Sequence, residues 1–198
     1  MKEIWNERYD SDNYIYGKTP NVFFAEQLNK LDPGTIILPC EGEGRNAVFA
    51  ATKGWDVIAF DQSEVGKKKV LELAHQNNTV IDYKISDALD FYVPEETVDA
   101  VAFIYAHFPT AIRKTIHQKA IGWLKQRGIL IIEAFTPAQI KNHSGGPKDI
   151  SMLYTEAMLQ EDFRLMNIEL LQPLQVELKE GNLHDGIAEV IRFIGRKK

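Results

Sequence analysis

Hydrophobic and polar residues follow two periods along this chain, and the changes between them divide it into strands and helices. Short runs rich in apolar residues, typical of strands buried in a sheet, occur at 36–38, 57–60, 79–85, 98–105 and 129–135. Apolar residues three and four positions apart, typical of amphipathic helices, occur at 47–53, 63–78, 109–128 and 155–163. This alternation predicts one doubly wound, mostly parallel α/β sheet.

The two ends of the chain depart from this alternation. Near the carboxyl end, strand-like runs at 166–178 and 187–194 flank residues 180–186, whose composition is typical of a hairpin connection. Before the first strand, the pattern predicts a short helix around Trp5 and a second over 21–31. The chain is therefore expected to form a single domain over 1–198, with a helical cap in 1–34 and a seven-stranded Rossmann-like core in 35–198.

Composition excludes several classes of protein. The chain has 198 residues, a net charge of −5 and a pI near 5.6, so it lacks the basic face that a nucleic-acid-binding protein needs. Its single cysteine allows no internal disulfide and suggests a reducing compartment. The charged amino terminus differs from a signal peptide, and no apolar run is long enough to cross a membrane. We expect a cytoplasmic protein, monomeric or homodimeric, with no nucleic-acid or membrane partner.

The segment between the first two predicted strands carries the clearest chemical pattern. The first strand leads into Glu-Gly-Glu-Gly-Arg-Asn at 41–46, a helix follows, and the next strand ends on Asp61. Glycines at 42 and 44 let the backbone approach a ligand, and a helix start offers unpaired N–H groups. A carboxylate at the end of the second strand can accept both hydrogens of a ribose diol. This layout is typical of a nucleotide-binding βαβ unit.

Two nucleotides fit this layout. Gly42, Gly44 and Ala47 satisfy the dinucleotide fingerprint, so an NAD-dependent oxidoreductase is one candidate. Glu41 and Glu43 disfavour it, because a pyrophosphate beside two carboxylates would be repelled by several kcal/mol, in order of magnitude. S-adenosylmethionine, which has an ammonium, a sulfonium and a ribose, would instead be attracted. The sequence therefore favours the methyl donor over NAD, and both over glutamates that simply face water.

These residues are similar to a known cofactor-binding unit. The run 41–47, followed by Asp61, Gln62 and Ser63, resembles class I S-adenosylmethionine-dependent methyltransferases, closest to the branch that contains tellurite-resistance and thiopurine methyltransferases. The resemblance covers nearly the whole chain and implies that the last strand is inserted antiparallel. Where that family usually has an acidic residue and another glycine, this chain has Leu38 and Cys40, which makes Glu41 the candidate to hold the methionine amine.

The resemblance also implies two sets of site residues. Asp87 and the Ala88 N–H are expected to contact the adenine edge, although Asp87 is equally suited to cap a helix. The expected cofactor-binding residues are Trp5, Tyr9, Glu41, Gly42, Gly44, Asn46, Asp61, Gln62, Asp87, Ala88 and Tyr105. The expected substrate residues are Tyr16, His107, Phe108, Phe135 and His184.

Two further segments are candidates for functional roles. Residues 2–31 are rich in aromatic residues, which either plug one edge of the sheet or form a lid that excludes water from the site. Residues 136–149 form the longest irregular stretch, and long loops in compact domains often carry function. The three adjacent lysines at 67–69 cannot share one helix face and are expected to be solvated.

His107 follows the fourth strand and is the candidate catalytic residue, because a histidine at that edge can accept a proton near neutral pH. The alternative is a histidine that is hydrogen-bonded to neighbouring backbone. The His-Phe-Pro run at 107–109 differs from the Asn- or Asp-Pro-Pro-aromatic run of amine methyltransferases, so those substrates are disfavoured. No pair of histidines has a metal-ligand spacing, and we expect no metal site.

The favoured hypothesis is methyl transfer from S-adenosylmethionine to a small acceptor of the thiol or chalcogen type. The alternatives are an NAD-dependent oxidoreductase and a non-catalytic module that binds S-adenosylmethionine.

Overall fold

The apolar runs of the sequence form the centre of a seven-stranded sheet in the computed structural model, which describes residues 2–198. In chain order the strands are β1 (Thr35–Pro39), β2 (Asp56–Asp61), β3 (Asp82–Ile85), β4 (Val98–Ile104), β5 (Leu124–Phe135), β6 (Met166–Lys179) and β7 (Asp185–Lys197). Their order in the sheet is β3-β2-β1-β4-β5-β7-β6. The first five strands are parallel, and β7 lies antiparallel between β5 and β6. The predicted sheet, with its antiparallel C-terminal hairpin, is confirmed.

Six α-helices accompany the sheet. They are α1 (Lys2–Tyr9), α2 (Val22–Leu28), α3 (Arg45–Thr52), α4 (Glu64–Gln76), α5 (Thr110–Trp123) and α6 (Glu156–Asp162). Two short 3-10 helices, Pro137–Lys141 and Ile150–Met152, lie in the segment between β5 and α6. The helices cover both faces of the sheet, and a buried hydrophobic cluster lies against each face.

Side-chain caps set where several helices begin. Ser63 Oγ accepts a hydrogen bond from Gly66 N at the start of α4, and Thr155 Oγ1 accepts one from Met158 N at the start of α6. Each bond satisfies an N–H that the helix itself leaves unpaired.

The junction of α5 and β5 differs from the prediction that the helix continues to Gly128. The helix ends at Trp123 and the strand starts at Leu124. Leu124 pairs with Val98, but the next pair along β4 joins Ala100 to Ile129, so the intervening residues form an irregularity in the strand. Arg127 takes a left-handed conformation there, with φ of 66°. Gly128 therefore lies in an irregularity of β5, and the helix ends five residues earlier than predicted.

The prediction that all three lysines at 67–69 are solvated is wrong for Lys69. Its side chain is buried, and its ammonium lies 2.8 Å from a carboxylate oxygen of Glu43. The partner is on the glycine loop, so spacing along the helix gives no sign of it.

None of the helices in residues 2–198 has both the length and the apolar character needed to span a bilayer.

Trp123 tests the packing beneath the sheet. Its ring meets those of Phe60 and Phe91 edge-on, at centroid distances of 6.4 and 5.4 Å, and only 3% of the residue is exposed. We expect Trp123→Ala to lower the free energy of unfolding by about 3–5 kcal/mol, because the lost ring leaves a cavity. The matched control is Tyr92→Ala, at a tyrosine that is 76% exposed, with a change within about 0.5 kcal/mol. Urea denaturation measures both, and equal effects would contradict this packing.

Candidate functional site

A cavity of about 380 Å³ opens at the carboxyl ends of β1 and β4. These neighbours are parallel, and the sheet grows outward from them in opposite directions, which makes this the crevice where open α/β sheets bind ligands. Cys40 directly follows β1 and Tyr105 directly follows β4, and both take left-handed conformations, with φ of 55° and 54°. Such strain in residues other than glycine is typical of functional sites.

The cavity brings together most of the residues predicted from the sequence. Those that line it are Trp5, Tyr9, Tyr16, Glu41, Gly42, Gly44, Asn46, Tyr105, His107, Phe135 and His184. Those that lie outside its lining are Asp61, Gln62, Asp87, Ala88 and Phe108. Ala88 and Phe108 are buried in the hydrophobic cluster on one face of the sheet.

The glycine loop needs its glycines for both conformation and space. Gly42 and Gly44 have φ of 59° and 89°, a region that other residues rarely adopt. A Cβ at Gly42 would lie 2.5 Å from the Tyr9 hydroxyl, and one at Gly44 would lie 2.6 Å from a methyl group of Val70. The loop therefore packs tightly against α1 on one side and α4 on the other.

Glu41 turns its carboxylate onto the start of α3. One oxygen accepts hydrogen bonds from the backbone N–H groups of Asn46 and Ala47, both at 2.8 Å. These are the amides that a dinucleotide's pyrophosphate would otherwise bind. The second oxygen has one weaker partner, the Asn46 amide at 3.4 Å. Burial raises the pKa of Glu41 to about 7, against the lowering effect of these bonds and of Arg45. An acidic side chain thus occupies the phosphate position of a dinucleotide site.

Glu43 does not face water, and it does not add free negative charge to the cavity. One of its oxygens pairs with Lys69, and the other accepts the backbone N–H of Ile15 at 2.9 Å. The exclusion of a pyrophosphate therefore rests on Glu41 alone and not on both glutamates.

Asp61 lies directly below the glycine loop. Its two oxygens accept the backbone N–H groups of Gly42 at 3.2 Å and Ser63 at 2.9 Å. Burial raises the pKa of this carboxyl, although the backbone N–H groups oppose the shift. Gln62 next to it donates a hydrogen bond to Asp87, which ties the ends of β2 and β3 together. The other Asp87 oxygen accepts the Leu89 N–H in a turn, and α-helix does not follow.

A buried polar network supports the far wall of the cavity. The side-chain amide of Asn21 donates to carboxylate oxygens of Glu133 at 2.6 Å and Glu180 at 3.1 Å. Each carboxylate also has an arginine partner, Arg192 at 2.6 Å for Glu133 and Arg45 at 2.9 Å for Glu180. The two negative and two positive charges balance, so burial leaves no uncompensated ion.

His184 lies at the end of this network. Its Nδ1 is 3.4 Å from the Glu180 carboxylate, which can only accept, so this nitrogen carries the proton. Nε2 is then the acceptor. Burial lowers the pKa of His184, against the raising effect of the hydrogen bond that Nδ1 donates to Glu180, so the ring is neutral near pH 7. The imidazole packs against Tyr16 and Tyr105, with centroids 4.5 and 4.6 Å away.

His107 has a different environment, because both of its ring nitrogens bind backbone. Nδ1 is 2.8 Å from the Met152 carbonyl, and Nε2 is 3.1 Å from the Phe135 N–H, which donates to it. Burial lowers the pKa of His107 to about 4. These bonds leave no ring nitrogen to accept a proton from a substrate, so they disfavour the predicted catalytic role of His107.

The first helix lies against the same site. The Asn6 side chain accepts hydrogen bonds from Ser63 Oγ at 2.7 Å and from the Glu64 N–H at 3.1 Å, which docks α1 on the start of α4. Trp5 stacks on Tyr9, and both rings line the cavity. Residues 2–9 therefore cover the glycine loop, and the movement of this cap stays a prediction.

Sequence patterns did not identify several residues of the site. Asn21, Glu133 and Glu180 are isolated polar residues whose partners are distant in sequence. The length of the irregular segment between β5 and α6 did indicate a functional role, and this segment contributes Gly146, Pro147, Lys148 and Met152 to the lining of the cavity.

Comparisons with known proteins agree with this geometry. Residues 38–128 match the family model described as a methyltransferase domain. This stretch contains the end of β1, the glycine loop, Asp61 and strands β2 to β4. The chain therefore contains a methyltransferase domain over residues 38–128.

Solved structures share the whole fold at low sequence identity. TehB from Haemophilus influenzae superposes with a TM-score of 0.73 and 16% identity, over 100% of this chain and 67% of its own. A SAM-dependent methyltransferase from Methanosarcina mazei gives 0.66 and 16%, over 85% and 95%. A structure described under the conversion of a disulfide bond into a thioacetal group during echinomycin biosynthesis gives 0.77 and 16%, over 100% and 92%. No curated protein sequence matches significantly.

The residues at the glycine loop fit the cofactor of this methyltransferase. The Glu41 carboxyl group occupies the amides that a phosphate would bind and can pair with an ammonium, and Asp61 places a carboxyl group beside the backbone of Gly42. The glycines leave space where side chains would collide.

The pKa of Glu41 predicts how stability depends on pH. The folded carboxyl keeps its proton up to about pH 7, whereas an ordinary glutamate loses it near 4.5. The folded state therefore binds more protons between these values, and stability falls as pH rises through them. Relative to Glu41→Gln, we expect the wild type to lose as much as about 3 kcal/mol from pH 5 to pH 8. Urea denaturation across this range measures it.

The control for this experiment is Glu72→Gln, at an exposed carboxylate on α4, which should keep the pH dependence of the wild type. A wild type and a Glu41→Gln variant with parallel pH profiles would show that burial does not shift the pKa of Glu41.

Proposed function

We propose that this methyltransferase acts on a small, soft nucleophile of the thiol or chalcogen type, and that His184 accepts the acceptor's proton. The observation that carries the proposal is the neutral imidazole of His184, which Glu180 orients with Nε2 as the acceptor nitrogen, in a cavity lined by aromatic rings. When bound, S-adenosylmethionine supplies an electrophilic methyl group on a sulfonium.

On the cofactor side, the chain's own residues bind and orient. Glu41 holds the ammonium of the methionine portion, and Asp61 accepts the ribose hydroxyls below the glycine loop. Asp87 and the Ala88 N–H, next to Gln62, are assigned to the adenine edge. Trp5 and Tyr9 exclude water from above, which strengthens every charge interaction beneath them.

On the acceptor side, the rings of Tyr16, Tyr105 and Phe135 supply polarizable apolar surface that suits sulfur more than a strongly hydrated oxygen. Glu180 holds the His184 tautomer, and Arg45 in turn holds Glu180. Burial acts to raise the pKa of Glu180, but the hydrogen bond from His184 and the charge and hydrogen bond of Arg45 keep it below its usual range. Proton acceptance by a neutral histidine contributes about 10²–10⁴-fold to a rate when the nucleophile must be deprotonated.

One of the similar structures supports a soft acceptor, because its description names the conversion of a disulfide bond into a thioacetal group. This description belongs to that protein, and it guides the choice of acceptors to be screened.

The test is a methylation screen with purified protein and S-adenosylmethionine, measured as S-adenosylhomocysteine released. The panel contains alkyl and aryl thiols, tellurite, selenite and small phenols. We expect turnover with thiols or chalcogen oxyanions and little with phenols. Turnover confined to phenols or amines would contradict the proposed acceptor class, and cofactor binding without any turnover would favour a non-catalytic binding module.

His184→Gln separates proton transfer from packing. With an alkyl thiol, which is protonated at pH 7, we expect kcat to fall about 100-fold, because Gln cannot accept the proton. With 4-nitrothiophenol, which is already ionised, the loss should be only a few-fold. The affinity for S-adenosylhomocysteine should not change.

The control is His75→Gln, at an exposed histidine on α4, which should match the wild type with both thiols. Equal losses with the two thiols in His184→Gln would leave the residue a packing role only. In the wild type, burial lowers the pKa of His184, so activity with the alkyl thiol should persist below pH 6.5 and fall once the ring is protonated.

A further inference from the structure

The acceptor half of the cavity carries positive charge without negative charge. Away from the glycine loop, the lining consists of aromatic and apolar residues, two histidines, and two basic residues, Arg8 and Lys148. No aspartate or glutamate lines this half among residues 2–198. The overall charge of the protein is −5, so this is a local reversal of sign.

Neither of these cations is neutralised by a carboxylate within the described part of the chain. Arg8 donates to the Tyr16 hydroxyl at 3.2 Å and lies over the Trp5 ring at 4.6 Å. The Lys148 ammonium has one polar partner, the Asn142 carbonyl at 3.4 Å. Most other basic side chains near the site are paired, as Arg45 is with Glu180 and Lys69 is with Glu43.

The charge of Arg8 reaches the centre of the acceptor half. It is one of the groups that lower the pKa of His184, after burial and Arg45, and its hydrogen-bond partner Tyr16 packs on the His184 ring at 4.5 Å. Lys148 approaches from the loop between β5 and α6, on a different part of the rim. Two exposed cations from separate elements thus line one cavity, an arrangement that attracts an anion.

We propose that the acceptor carries an anionic group, a carboxylate in the simplest case, at a distance from its nucleophilic atom, and that Arg8 and Lys148 bind this group. The inference rests on the proposed function and narrows its acceptor class to anionic thiols. In the transfer, the acceptor sulfur forms a bond to the methyl carbon as the bond from that carbon to the sulfonium breaks. The electron pair of the broken bond stays on the cofactor's sulfur, the thiol proton goes to His184, and the carboxylate is unchanged.

Because Arg8 belongs to α1, an anionic acceptor also bridges the cap and the core. Binding of the carboxylate would hold α1 over the glycine loop, while a neutral acceptor would lack this contact. The subsite therefore provides both recognition and closure.

The experiment compares 4-mercaptobenzoate with 4-mercaptobenzamide, its neutral isostere. We expect the wild type to have up to about 25-fold higher kcat/KM for the carboxylate, mainly through KM, since each of the two exposed ion pairs contributes up to about fivefold. Arg8→Met and Lys148→Met should each remove up to about fivefold for the carboxylate and leave the amide within twofold. Lys18→Met and Lys141→Met, at basic residues outside the cavity lining, are the controls.

Binding is measured separately from turnover. Calorimetric titration of both ligands into protein saturated with S-adenosylhomocysteine should show the same preference and the same loss in the two variants. If neither ligand is methylated but this preference holds, the proposed reaction fails and the anion subsite stands. Equal affinities for the two ligands, or losses in the variants that are equal for both, would overturn the subsite whatever the turnover.

Discussion

The side-chain amide of Asn21 joins the N-terminal part of the chain to the central sheet and to the C-terminal hairpin. It donates to Glu133 on β5 and to Glu180 at the end of the β6–β7 hairpin, while the Asn21 side-chain oxygen caps α2 and its backbone N–H bonds Asn46 on α3. One residue thereby connects the N-terminal cap, the helix that follows the glycine loop, the central sheet and the C-terminal hairpin. Because the amide is buried and both carboxylates are paired with arginines, loss of any member would leave a buried group unsatisfied. The acceptor wall, including His184, depends on this arrangement.

The same arrangement places acidic side chains at one end of the cavity and basic side chains at the other. At the glycine loop, Glu41 places an acidic side chain on the start of α3. At the acceptor end, no carboxylate among residues 2–198 lines the cavity, and Arg8 and Lys148 have no carboxylate partner there. We therefore propose that a positively charged donor and an electron-rich acceptor bind at opposite ends of the site. When their charges combine in the transition state, a dry and preorganised site favours the reaction.

Patterns in the sequence predicted the parts of the site that are local. Strand, glycine loop, helix and Asp61 lie within 27 residues, so spacing alone identified them. Spacing could not identify Glu133 and Glu180, which lie 112 and 159 residues from Asn21. Spacing also could not show which histidine can accept a proton from a substrate, because His107 and His184 differ in what their ring nitrogens bind. His107 bonds backbone of Met152 and Phe135, which only the folded chain brings near. Lys69 was misjudged for the same reason, because its partner lies in another element.

The most direct measurement is calorimetric titration of S-adenosylhomocysteine and, separately, of NAD into the wild type, Asp61→Asn and Glu72→Gln. If Asp61 at the end of β2 and the glycine loop with Glu41 form the cofactor site, S-adenosylhomocysteine will bind the wild type and the Glu72→Gln variant with the same affinity. The Asp61 variant will bind it at least about tenfold more weakly, because a charge-assisted bond to the ribose is lost. NAD will give no heat. Binding of NAD, or an Asp61→Asn variant with unchanged affinity, would contradict this placement of the cofactor.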